Sequence, residues 1–309
     1  MTRQRKDLRR KLFDIHAKNL SEAVPGIADT FRCPICLKDF NLEALDVDQE
    51  LTFGHIISGA VGGKIGVLEC GPCNHHIGTV YDSHVAEEKV FSNWLTGVEG
   101  SERFVYIDDV PTYTTWGKNH VFEIRAVNSK EPSYKKRSKE LNSRLSRTGM
   151  DQLKIKINEK HDQKKKDMSL VHSAFLRMFF CFGYEYVLSP AANIVRQIIR
   201  SENCPWDINN MIFNMESRPP FPIPAAGVLK SPRKICSFMV ALPSMINTIS
   251  TRLIFFPGFG SEGEKAYAQL IETKVAKKFP IDVRADIVYG GLEEFGYLHI
   301  LWNKATNSS

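Results

Sequence analysis

Apolar residues recur at helical spacing from the start of the chain. Leu8, Leu12, Phe13 and Ile15 stand between Arg3, Arg5, Lys6, Arg9, Arg10, Lys11 and Lys18, which predicts a basic amphipathic helix over residues 3–20. Pro25 and Gly26 end it. A second helix is predicted over Asp82–Leu95, with Val85, Val90, Phe91 and Trp94 available for one face. Alternation predicts strands at Arg103–Ile107 and Val121–Val127, with Pro111 and Gly117 punctuating the segment between. The most apolar stretch, Met168–Leu188, is interrupted by His172, Arg177, Gly183 and Glu185. Its charge-free runs fall short of the roughly 18 residues that suggest a membrane span, so a buried helix is expected. It continues to about Ile199 with a break near Ser189-Pro190. Beyond it, Ile235–Leu242, Arg252–Phe256, Asp282–Tyr289 and Tyr297–Trp302 read as strands and Glu262–Val275 as a helix. The whole reads as α+β, without an internal repeat.

A chain of 309 residues is long enough for about two domains and for a core that needs no disulfide staples. Its 43% hydrophobic and 25% charged residues exclude collagen, a disulfide-rich mini-protein and bulk disorder. The expected organisation is a basic N-terminal helix (1–29), a Cys-, Gly- and His-rich domain (30–98), strands with a basic linker (99–167) and a mixed α+β C-terminal domain (168–309). No apolar core follows the basic start, so no secretory signal is read there, and a cytoplasmic location without membrane contact is expected.

Charge is unevenly distributed. Residues 130–166 hold 13 Lys or Arg against five acids, a local +8 that exceeds the net +6 of the whole chain. A concentrated patch of this kind suits a phosphate backbone, with Lys135, Lys136, Arg137, Lys139, Arg144 and Arg147 as candidate contacts to DNA or RNA. The same stretch also reads as a solvated helical linker.

Seven cysteines with no export signal argue against a disulfide framework. Cys181, Cys204 and Cys236 are isolated and read as core or incidental. The other four form two CxxC pairs, Cys33/Cys36 and Cys70/Cys73, separated by 33 residues. Two such knuckles can close a tetrahedral zinc site with four sulfur ligands, and zinc can supply much of the folding energy of a loop-rich unit. The rival, redox chemistry at one CxxC, needs a thioredoxin-like βαβ setting that is not visible here. His55 is the only histidine between the knuckles, where the strand-like Leu51–Ile57 enters a glycine-rich turn. An imidazole there could take a proton from water beside a phosphodiester. Asn74 follows the second knuckle at the expected start of a helix; His75, His76, Asp82 and His84 lie nearby.

The segment CPIC…LTFGHIISGAVGG…CGPCNHHIGTVYDSH resembles the zinc-containing branch of the HNH endonucleases over about residues 30–85. Knuckles, His-Ile-Ile, Gly-Gly and CxxCN fall in that family's order. A looser likeness to stretches of HNH-containing bacterial proteins covers Ala174–Arg196. The resemblance implies a treble-clef ββα-metal zinc domain, one catalytic Mg²⁺ or Mn²⁺, and hydrolysis of DNA phosphodiesters. It implies His55 as general base, Asn74 as a ligand of the catalytic metal, and Cys33, Cys36, Cys70 and Cys73 as ligands of structural zinc. This sequence departs from the pattern at three positions. Gly54 stands where an acid should precede the histidine, Ile65 falls where the middle Asn should lie, and Ser58 replaces the usual Pro. Loss of an anionic ligand weakens a hard cation, and Asp46, Asp48, Glu50 or Asp82 are candidates to compensate.

The expected function is a metal-dependent HNH endonuclease; the alternative is a degenerate zinc module that binds nucleic acid without cutting it. A third reading places an unrelated activity in residues 168–309. That region is read as lacking a Walker A loop, a Gly-x-Ser-x-Gly turn and a dinucleotide fingerprint, so it is expected to position substrate or bind a partner.

Overall fold

The computed structural model describes residues 3–59, 62–64, 66–126, 132–148, 154–157, 162–201, 208–215, 223–231, 233–243, 251–275, 284–288 and 298–307. It is a mixed α+β structure of helices and antiparallel sheets. Two compact units divide it. One comprises residues 1–83 and 163–309, the other 84–162. No helix among the described residues is long and apolar enough to cross a membrane.

The first unit opens with helix α1 (Arg3–Ala23), whose Leu12, Phe13 and Leu20 are buried. Two short strands follow, β1 (Phe31–Arg32) and β2 (Asp39–Phe40), then a hairpin of β3 (Leu51–His55) and β4 (Gly66–Cys70). Helix α2 (Gly71–Ile77) starts directly after β4, with Pro72 in its first turn, where the missing N–H costs nothing. A π-helical turn, Gly78–Asp82, leads into α3 (Ser83–Leu95).

Helix α5 (Gln163–Val187) forms the spine of this unit. It packs on α1, on β4 and on the π turn, and also on a five-stranded antiparallel sheet. The sheet strands are β9 (Ile212–Met215), β10 (Ala225–Ser231), β11 (Ser237–Pro243), β12 (Thr251–Phe256) and β13 (Arg284–Val288), in the order β13-β10-β11-β12-β9. Because α5 meets neighbours on all sides, nearly every residue from Lys166 to Val187 is buried. That explains an apolar run with no helical stripe. The break in this run has two parts. Gly183 adopts φ +55°, and Ser189 then caps α6 (Pro190–Arg200) by accepting from the Ala192 N–H at 3.2 Å. Helices α7 (Gly260–Val275) and α8 (Leu298–Asn307) complete the unit.

The second unit has its own core of Trp94, Val105, Ile107, Val110 and Leu141. Strands β5 (Glu102–Ile107), β6 (Val110–Trp116), β7 (Phe122–Ala126) and β8 (Ile155–Lys156) form a sheet in the order β7-β6-β5-β8. Helix α4 (Pro132–Thr148) covers it through Leu141 and Leu145.

Two expectations are corrected. Tyr297–Trp302, expected as a strand, gives way to a helix over Leu298–Asn307: Trp302 and Ala305, one turn apart, are buried while Ile300 is exposed. The punctuated segment around Pro111 is strand β6, with Pro111 opposite Tyr106 near its start.

Candidate metal centre

Both knuckles are built by backbone geometry. In the first, the Cys33 N–H donates to Lys38 O and the Leu37 N–H to Cys33 O, each at 2.9 Å, with Leu37 in the left-handed region at φ +61°. This folds Cys33 and Cys36 back onto each other between β1 and β2. In the second, Cys70 ends β4 and Cys73 lies in the first turn of α2. The four sulfurs lie within 4.8 Å of one another, and Cys36 Sγ is 3.6 Å from Cys70 Sγ. A zinc tetrahedron with Zn–S near 2.3 Å has S···S edges of about 3.8 Å. The cluster therefore fits a metal such as zinc. Burial pushes the Cys33 thiol well above its usual range, while thiol donation from Cys33, Cys70 and Cys73 holds Cys36 far below its own. Four crowded sulfurs can all be thiolates only around a cation. Cys181 and Cys236 are buried away from this cluster, and Cys204 lies outside the described residues.

His55 is the last residue of β3, half-buried, with its ring edge-on to Phe53 at 5.0 Å. It lines a cavity of about 630 Å³ together with Lys6, Arg9, Lys64, Asp46 and Asp48. Arg9 is fixed there by donating to the Leu51 carbonyl. Three cations and an imidazole lining one cavity can accommodate a phosphodiester, with the exposed Asp46 and Asp48 also in its lining.

Asn74 sits one residue inside α2 from Cys73 rather than at the helix start. Its Nδ2 donates to Thr52 Oγ1 at 3.0 Å. Thr52 lines the His55 cavity; Asn74 does not. The structure thus ties Asn74 to the strand that carries His55 without placing both on one wall.

The neighbouring residues are otherwise engaged. His76 stands edge-on to Tyr81 at 5.6 Å, and His75 is exposed. His84, assigned to the second unit, accepts from the Asp162 N–H at 3.0 Å through Nδ1. Asp82 accepts from Ser169 Oγ at 2.6 Å. Ile65 lies outside the described residues.

Glu69 is a candidate that sequence reasoning misses. It sits in β4, a strand buried at every position, and is itself 0% exposed. Its partner is His172 on α5, whose Nε2 lies 3.1 Å from Glu69 Oε1. Burial opposes charge on His172, but the charge and hydrogen bond of Glu69, with the charge of Asp82, outweigh it and raise its pKa. Glu69 Oε2 has no hydrogen-bond partner among the described residues. It also lies 2.0 Å from where a Cβ on Gly54 would stand. The space a side chain at position 54 would need is already held by a carboxylate from the facing strand. A single acid in a buried strand is the sequence signal that could have drawn attention to it, since such acids persist only when paired.

Of the expected nucleic-acid contacts, Lys135, Lys136 and Lys139 are exposed on α4. Arg137, Arg144 and Arg147 belong to the same helix, and their side chains lie outside the described set. In the C-terminal part, Gly258, Gly260 and Gly263 have the Gly-x-Gly-x-x-Gly spacing, running from the turn after β12 into the first turn of α7, which corrects the expectation that this region lacks it. The sheet beside it is antiparallel, unlike a dinucleotide-binding unit. The turn borders a cavity of about 810 Å³ lined by Arg233, Lys234, Lys265 and Trp302 among others, and Lys265 is paired with Glu262 at 3.1 Å.

No protein-family model, no curated protein and no solved structure matches the chain.

Proposed function

We propose that this protein is a metal-dependent endonuclease of the HNH type acting on DNA, with a zinc-stabilised treble-clef ββα unit made of the two knuckles, β3, β4 and α2. The observation that carries this reading is His55 at the end of β3, opening on a cavity lined by Lys6, Arg9 and Lys64, on the hairpin whose other end carries Cys70 of the four-cysteine cluster. The cations would neutralise the backbone phosphates flanking the scissile bond, a contact that positions DNA without reading bases. A neutral His55 ring nitrogen would accept a proton from the attacking water. Asn74, anchored by Thr52, would offer its amide oxygen to Mg²⁺ or Mn²⁺, and such an ion would stabilise negative charge building on the phosphate. The lysines of α4 would add sequence-independent affinity.

The test is cleavage of supercoiled plasmid by the purified chain with Mg²⁺, Mn²⁺ or EDTA. Metal-dependent nicking that falls about 10²–10⁴-fold in His55→Ala is expected, the usual contribution of a general base. A second reading has its own support. Asn74 is not on the wall of the His55 cavity, and no acid occupies position 54. A zinc-stabilised nucleic-acid-binding module would therefore bind plasmid and cut it under no metal.

A further inference from the structure

We propose that Glu69 is the anionic ligand of a divalent-cation site that Asn74 shares, and that His172 is the residue that positions it. Using this cation to cut DNA rests on the nuclease reading; binding it does not. Glu69 is fully buried, one carboxylate oxygen faces His172, and the other has no donor among the described residues. A half-satisfied carboxylate is costly to bury, and a cation at Oε2 would remove that cost.

Asn74 is linked to Glu69 through the hairpin. Thr52 is the direct cross-strand partner of Glu69, and its hydroxyl holds the Asn74 amide. Among the described residues, His, Cys, Asp and Glu form no three-ligand group besides the four cysteines. The proposed site is one carboxylate with neutral oxygens. That suits Mg²⁺ or Mn²⁺, which take one or two carboxylates and keep several waters. Asp46 and Asp48 are weaker candidates because they are exposed and already hydrated. Gly54 is part of the same construction. Position 54 must lack a side chain because the acid arrives from β4, so the carboxylate has changed strand while its space has been kept.

The decisive measurement is calorimetric titration of Mn²⁺ into the zinc-loaded full chain, with zinc content measured on each sample. One Mn²⁺ is expected to bind the wild type, and Glu69→Gln is expected to weaken it at least about tenfold at unchanged zinc content. Gly54→Asp combined with Glu69→Ala returns the carboxylate to β3 and is expected to recover most of that affinity. This double variant decides alone if Glu69→Gln does not fold. His172→Ala is expected to lose about 10–100-fold in Mn²⁺ affinity. His172→Gln keeps an N–H for Glu69 and is expected to rescue it; a role confined to packing would leave Mn²⁺ affinity unmoved. No Mn²⁺ bound by the wild type, or equal affinity in Glu69→Gln, overturns the proposal. Plasmid cleavage on the same samples separates the two ideas. Glu69-dependent Mn²⁺ binding without cleavage sustains the cation site and removes the nuclease, while undiminished cleavage together with equal Mn²⁺ affinity in Glu69→Gln removes the cation site and keeps the nuclease.

Discussion

Gly54 and Glu69 compete for one volume, and that competition makes a measurable claim. Even a methyl group at position 54 would stand 2.0 Å from Glu69 Oε2, an atom that cannot swing into solvent because Glu69 is fully buried against His172. Gly54→Ala is therefore expected to destabilise the protein by about 1–3 kcal/mol, the usual cost of overpacking. In a Glu69→Ala background the added methyl should cost close to nothing. The double-mutant cycle, read by urea unfolding, should show a coupling of that size, and additive effects would mean the two residues do not share the space. The same pair marks the limit of what single residues reveal in sequence. The convergence of Cys33, Cys36, Cys70 and Cys73 is legible because short CxxC spacing and thiolate chemistry leave few other arrangements. The Glu69–His172 contact spans 103 residues and no local spacing encodes it. In sequence, His172 is only a polar interruption of an apolar run; its partner appears once α5 lies against β4.

At the scale of elements, periodicity finds the helices and strands that bury one face and fails where context decides. Helix α1 is legible from apolar residues at helical spacing among cations, although Leu8 is exposed and Arg9 and His16 share the buried face with Leu12 and Phe13. Helix α8 is not, because a ten-residue segment with Leu298, Ile300 and Trp302 fits either period until Trp302 and Ala305 are seen buried together. Strand β6 is obscured by Pro111, which strands tolerate near their ends. The α1–α5 contact carries an acid sensitivity. His16 of α1 is fully buried and stacks on Phe179 of α5 at 4.4 Å, and burial lowers its pKa from 6.5 to about 3. Between those pH values the unfolded chain binds a proton there that the folded chain refuses. The stability that neutral His16 contributes is thus complete above pH 6.5 and lost as pH falls toward 3. His16→Phe should remove about 1.4 kcal/mol of that loss per pH unit, seen as a shallower decline of unfolding free energy below pH 6.5 than in the wild type. Helix α4 supplies a different test. Its Leu141 and Leu145 cover the sheet while Lys135, Lys136 and Lys139 face solvent. Replacing the three lysines with Gln should leave the unfolding transition in place. If they touch phosphates, the slope of log affinity for duplex DNA against log salt should become shallower by up to about 0.9 for each phosphate no longer neutralised; an unchanged slope would assign them to a solvated face.

For the whole molecule, the distribution of hydrophobic cores decides how far loss of the metal would spread. The cysteine knuckles are not a separate bead. Cys33 and Cys70 belong to the same buried cluster as Leu12 and Leu20 of α1, Phe175 and Phe179 of α5, and Phe238 of β11. Residues 84–162 have a distinct core built around Trp94, Val105 and Ile107. Structural zinc binding in small domains is worth about 10–16 kcal/mol, and a typical domain is stable by only about 5–15 kcal/mol. If zinc fills the four-cysteine site, stripping it should therefore unfold more than the knuckles. After chelation, or in Cys73→Ser, amide exchange read by mass spectrometry should show lost protection in residues 31–82 and also along α1 and α5. Strands β5 and β6 should keep theirs, because their core contains no ligand residue. Loss confined to residues 31–82 would show instead that packing of α1 and α5 on the large sheet suffices without the metal, and that zinc serves only the local geometry around His55 and Asn74.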